Sequence, residues 1–107
     1  MKKIRIFESR TKALDSIPEK QAKRVVIGDL KICLARFENH FFAIQDACPH
    51  SKASLSEGIV NPRGEIICPL HSYCFDLNTG REFQQQTNDA EVWKVKEDGE
   101  GIYIEIE

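Results

Sequence analysis

"GIYIEIE", residues 101–107, is the stretch that decides the fold class. Ile102, Ile104 and Ile106 alternate with Tyr103, Glu105 and Glu107, the period-two pattern of a strand with one face buried and one wet. Working outward, Asp98-Gly99-Glu100 reads as a turn, and "AEVWKVKE" (90–97) reads as the strand before it. "KIRIF" (3–7) alternates in the same way. "KRVVI" (23–27) and "KICLARF" (31–37) flank Gly28-Asp29-Leu30 as a hairpin, "HFFAIQDA" (40–47) follows the polar turn Glu38-Asn39, and "EIIC" (65–68) follows the turn-rich Asn61-Pro62-Arg63-Gly64. "ALDSIPE" (13–19) reads as a loop with at most one helical turn, because Pro18 interrupts it. Many short strands between turn signals, with no sustained helical period, predict an all-β antiparallel sandwich or barrel.

A chain of 107 residues is most simply a single domain spanning 1–107. The polar run "QQQTND" (84–89) reads as a surface loop rather than a linker. Runs such as "VVI" (25–27) are too short to span a bilayer, and the start shows no leader pattern, so the expected location is cytoplasmic with no membrane contact. Net charge is −2, unevenly spread: residues 1–36 hold ten Lys/Arg and four Asp/Glu, and residues 37–107 hold five and thirteen. The basic residues are interleaved with apolar ones, as solvated strand faces are, which argues against nucleic-acid binding.

Four cysteines in such a chain point to metal binding or buried thiols before disulfides. Cysteine and histidine occur together twice, in "CPH" (48–50) and "CPLH" (68–71), giving Cys-x-His, seventeen residues (51–67), then Cys-x-x-His. Each pair closes a predicted strand beside a proline. Two thiolates and two imidazoles suit either a tetrahedral zinc or a pair of irons. Zinc fingers usually pair Cys with Cys and His with His, whereas here each loop offers one of each, which favours a binuclear cluster.

Across residues 46–80, "DACPHSKASLSEG" and "CPLHSYCFDLNTG" resemble the two cluster loops of Rieske-type [2Fe–2S] ferredoxins, low-potential and stand-alone, and strand spacing extends the resemblance more weakly to the whole chain. The resemblance implies an antiparallel β-sandwich carrying a small cluster-binding subdomain within residues 46–76. It implies that Cys48 and Cys68 bind one iron and that His50 and His71 bind the other, with one [2Fe–2S] cluster per chain. Ala53 and Leu70 stand where high-potential relatives carry a loop disulfide, and Tyr73 and Phe75 stand where those relatives place serine and tyrosine donors. With fewer donors the potential is expected near the low end of the Rieske range, about −150 mV. Ser72 replaces the glycine usual after the second histidine, and Gln84-Gln85-Gln86 replaces a proline-rich covering loop.

The implied function is one-electron transfer, not catalysis. The implied partners are a flavin-containing reductase and a terminal Rieske non-haem iron oxygenase, with the free protein a monomer. "LSEGIV" (55–60), followed by a turn and "CPLH", is also similar to the small subunit of an assimilatory nitrite reductase, whose partner would be the large subunit. A structural zinc-binding interaction module is the reading from another class. Elsewhere, Cys33 in "KICLARF" is expected as a buried thiol on a strand covered on both faces, with Ile32 and Leu34 pointing opposite to Cys33, Ala35 and Phe37. Cys74 is expected as a structural thiol, His40 as solvent-facing, and Trp93 and Tyr103 as packing aromatics.

Overall fold

The computed structural model describes residues 2–106. In chain order the elements are β1 (Lys2–Phe7), α1 (Arg10–Ser16), β2 (Ala22–Ile27), β3 (Leu30–Phe37), β4 (His40–Gln45), β5 (Glu65–Ile67), β6 (Cys74–Asp76), β7 (Val92–Trp93), β8 (Val95–Asp98) and β9 (Gly101–Ile106). They form three antiparallel sheets, ordered β1-β9-β8, β2-β3-β4-β7 and β5-β6. The all-β expectation holds.

β9 shows why the alternation is informative. Ile102 and Ile104 are fully buried while Tyr103 and Glu105 are partly exposed; Glu107 lies outside the described residues. The buried isoleucines meet Ile32 and Leu34 of β3, Phe41 and Ala43 of β4, and Ala13 and Ile17 from the helical segment. The opposite face of β3 and β4 presents Cys33, Ala35 and Ile44 to a second core, built with Cys48, Leu55, Val60, Ile66, Cys68, Phe75, Leu77 and Ala90. The central hairpin is therefore covered on both sides, as its sequence predicts. One face packs on the β1-β9-β8 sheet, and the other carries the loops that follow β4.

Turn chemistry sets the registers. Glu38 and Asn39 both adopt positive φ (51° and 64°) and pair Phe37 with His40, the twist that a two-residue hairpin between right-twisted strands requires. Gly28, at φ 58°, opens the β2–β3 turn, and Leu30 joins the strand, so that turn is one residue shorter than expected.

Two expectations need correction. The segment before Pro18 is a seven-residue helix, α1, not a loop with one turn. Its start lies upstream of the stretch considered, at Ser9, whose side chain accepts a hydrogen bond from the Lys12 amide as an N-cap. Pro18 falls past the helix end and interrupts nothing. The stretch 90–97 is not one strand but two. β7 pairs with β4, β8 pairs with β9, and the chain changes sheet at Lys94, whose carbonyl accepts from the Glu105 amide. A continuous strand would have left one sheet without its edge.

Candidate metal centre

Both Cys/His motifs sit on the same backbone turn. In the first, the Cys48 amide donates to the Ala53 carbonyl (2.8 Å) and the Lys52 amide returns to the Cys48 carbonyl (2.8 Å). In the second, the Cys68 amide donates to Tyr73 (2.8 Å) and the Ser72 amide returns to Cys68 (3.1 Å). The residue four after each cysteine, Lys52 or Ser72, has positive φ (65° and 59°), which is what curls the chain back on itself. Two copies of one turn thus face each other, each with its cysteine inside and its histidine at the tip.

The side chains divide by polarity. Cys48 and Cys68 are buried in the second core, 0% and 1% exposed, whereas His50 and His71 are exposed. The two imidazoles lie edge to face with centroids 5.2 Å apart, and Tyr73 packs on His50 at 4.4 Å. The structure brings all four of these residues to one end of the molecule. Among the described residues no three His, Cys, Asp or Glu side chains are grouped as ligands of a single metal ion. Thiol beside thiol and imidazole beside imidazole is a geometry of pairs.

The surroundings treat the two thiols differently. Burial pushes the Cys48 thiol up, but the Ser51 and His50 amides, the Ser51 hydroxyl and Cys68 outweigh it and hold Cys48 below its ordinary value. At Cys68 burial, together with the adjacent Cys48 group, wins against Ser51 and the Leu70 amide and leaves the thiol raised. Cys48 thus ionises more readily than its neighbour, and a cation between them would favour the thiolate form of both. Ser51, which sequence reasoning passed over, lies with its Oγ 3.4 Å from Cys68 Sγ, a cross-loop contact. Its only signal in the sequence is its place one residue after His50.

Support for the two turns differs. The second turn closes the β5–β6 hairpin, in which Ile67 faces Cys74. The first has the isolated bridge Ala47–Ser54 and a bond from the Asp46 amide to the Lys31 carbonyl (3.0 Å), reinforced by the buried Asp46 side chain. Asp46 accepts from the Ser56 amide (2.9 Å) and from Arg24 Nε (3.1 Å), and Arg24 also reaches Ser54 Oγ (2.8 Å). Burial raises the Asp46 carboxyl, but the hydrogen bonds of Ser56 and Ser54 and the Arg24 charge outweigh it and hold it below the usual carboxylate range.

Of the other cysteines, Cys33 is fully buried, and burial together with the Asp46 charge pushes its thiol far up, out of reach of thiolate chemistry. Cys74 is half-buried, donates weakly to the Ser72 carbonyl (3.6 Å), and is raised by burial and by Glu65. His40 is exposed; Trp93 packs partly buried against the first core, and Tyr103 carries Lys3 over its ring at 5.1 Å.

The sequence profile of the Rieske [2Fe-2S] domain matches residues 9–97. The chain belongs to the Rieske [2Fe–2S] domain family. Over 91 residues it is 33% identical to the 3-phenylpropionate/cinnamic acid dioxygenase ferredoxin subunit of Escherichia coli K12, covering 84% of this chain and 85% of that one. It superposes with a TM-score of 0.79 and 25% identity on a chain from the complex of reduced oxygenase and oxidized ferredoxin in carbazole 1,9a-dioxygenase, covering 95% of this chain and 91% of that chain. It shares its fold with a chain described as an NADH-dependent nitrite reductase small subunit from Mycobacterium tuberculosis, at TM-score 0.80 and 20% identity over 97% and 96% of the two chains. This Rieske protein is an electron carrier rather than an enzyme, and its cofactor is a [2Fe–2S] cluster. The donor set fits that group: two buried sulfurs and two exposed imidazoles that pack against each other. No helix among the described residues is long and apolar enough to cross a membrane.

Proposed function

We propose that Cys48 and Cys68 hold one iron of the cluster, that His50 and His71 hold the other, and that electrons pass through the histidine side. The observation that carries this reading is the burial contrast between the thiols and the imidazoles at one tip of the fold. When bound, the cluster takes up and releases one electron at a time. The chain's own residues do the rest. The second core excludes water from the sulfur side, the paired turns set thiol beside thiol and imidazole beside imidazole, and the exposed His50 and His71 with Pro49 offer a small face for transient docking.

The partners proposed are a flavin-containing reductase as donor and a terminal oxygenase as acceptor. The 33% identity to the dioxygenase ferredoxin subunit supports the oxygenase half of this pairing. A role as the small subunit of a nitrite reductase is the second reading, supported by likeness of fold. A structural zinc module is disfavoured by the donor pattern, since each loop supplies one Cys and one His where zinc fingers usually pair like with like. We take residues 1–107 as one domain, in line with the span of the family match, and place the protein in the cytoplasm, a compartment compatible with four free thiols.

The test is iron and sulfide analysis with the visible spectrum of anaerobically purified protein. About two irons and two sulfides per chain are expected, with His71→Ala losing most of the iron and His71→Cys keeping a cluster of lower potential. A colourless, zinc-containing protein overturns the reading. Co-purification with a large sirohaem protein would favour the nitrite reductase role.

A further inference from the structure

Three acidic side chains are buried: Asp46, Glu65 and Glu82. Asp46 pairs with Arg24 and Glu65 with Arg63, but none of the ion pairs among the described residues includes Glu82, which is 1% exposed. An unpaired carboxylate away from water is costly unless hydrogen bonds satisfy it. Glu82 is satisfied by the chain that follows it. Its Oε2 accepts from the Gln84 amide (2.7 Å) and its Oε1 from the Gln86 amide (2.6 Å), while the Gln85 amide returns to its carbonyl (3.1 Å). "QQQ" (84–86) is therefore wound around one buried side chain, with Gln85 in the left-handed region at φ 57°.

Glu82, Phe83 and Gln84 form one wall of a cleft of about 250 Å³ whose other wall is His71–Cys74. Its near end is tied by the Phe83 amide to the Cys74 carbonyl (2.8 Å). Phe83 is 58% exposed, with the Arg63 guanidinium 4.5 Å from its ring, so an aromatic face stands fixed at the rim. Three exposed glutamines without proline would otherwise be free to swing.

We infer that Glu82 is a positioning residue for electron transfer: its carboxylate holds the turn of residues 83–86, whose Phe83 and Gln84 line the cleft beside the His71 loop, and so sets how closely a redox molecule approaches His71. The inference rests on the reading of His71 as a ligand on the side where electrons leave.

Amide hydrogen exchange tests the positioning without reference to the cluster. In the unmodified protein the Gln84 and Gln86 amides should exchange more slowly than that of Asn88, in the same loop; equal rates overturn the inference with no variant needed. Glu82→Gln keeps the volume but turns an amide donor toward one of the two N–H groups. It should speed exchange at Gln84 and Gln86 by roughly ten- to a hundredfold and leave the β5 and β6 amides unchanged.

The second readout is oxidation of the reduced protein by hexacyanoferrate(III), an anion, and by hexaammineruthenium(III), a cation, each taking one electron. A loosened loop speeds both reactions several-fold. Loss of a negative charge alone speeds the anion and slows the cation, and that result, or no change in either, overturns the inference. Failure of the ligand reading would look different: His71→Ala would retain its iron, whatever the glutamine amides do.

Discussion

The two ligand loops have the same backbone turn and opposite kinds of support. The loop of Cys68 closes a hairpin, with three residue pairs of the β5–β6 ladder beneath it. The loop of Cys48 rests on one isolated bridge, on the bond from the Asp46 amide to the Lys31 carbonyl, and on the Asp46 side chain, a buried carboxylate that gathers Arg24 and the Ser56 amide. A ladder is distributed, so no single side chain carries the second turn. The first concentrates its support in one group, and a buried charged hydrogen-bond network loses much when that group is removed.

Asp46→Ala is the sharpest way to break this comparison. It should cost about 3 kcal/mol in chemical denaturation, because it strands the Ser56 amide and releases Arg24. Iron should then become labile with the Cys48 loop, and a loss below about 0.5 kcal/mol would mean that the first turn has support beyond this network.

A smaller effect is expected where the loops touch. Ser51→Ala removes the hydroxyl 3.4 Å from Cys68 Sγ, a contact that stabilises added negative charge on the sulfur side. The reduction potential should fall by about 40 mV, equivalent to about 1 kcal/mol for one electron. An unchanged potential in protein-film voltammetry would show that the loops are electrically independent.

The smallest effect concerns the shared turn itself. Lys52→Gly and Ser72→Gly each relieve a side chain held at positive φ, and each should be neutral or stabilising by up to about 1 kcal/mol in thermal unfolding. Similar gains at both sites would confirm that the turns are equivalent. A loss at Ser72 alone would assign its side chain a separate task.

Much of this was legible in the chain before folding was considered. The alternation of Ile102 and Ile104, and the two-faced reading of Ile32 and Leu34 against Cys33 and Ala35, survive intact, because a period of two maps directly onto the two faces of a strand. α1 was missed because its signal is a single capping serine, Ser9, lying outside the stretch that looked relevant. The sheet change at Lys94 was not legible, since β7 and β8 have equally good strand composition and only their partners differ. Among site residues the two Cys/His pairs stand out by type and spacing. Ser51, Asp46 and Glu82 do not, because serine and acidic residues are common and their roles depend on what lies across from them.

The sequence by itself determined the donor chemistry, the strand class and the pairing of the two motifs, all properties of residue type at short range. Only the tertiary structure decided how deeply each donor is buried. It turned the thiols of Cys48 and Cys68 inward and the imidazoles of His50 and His71 outward, and it gave each loop its own support. The physical reason is that burial, a cross-loop contact and an unpaired carboxylate are relations between distant segments. They exist only once β3 and β4 have packed a core on each face.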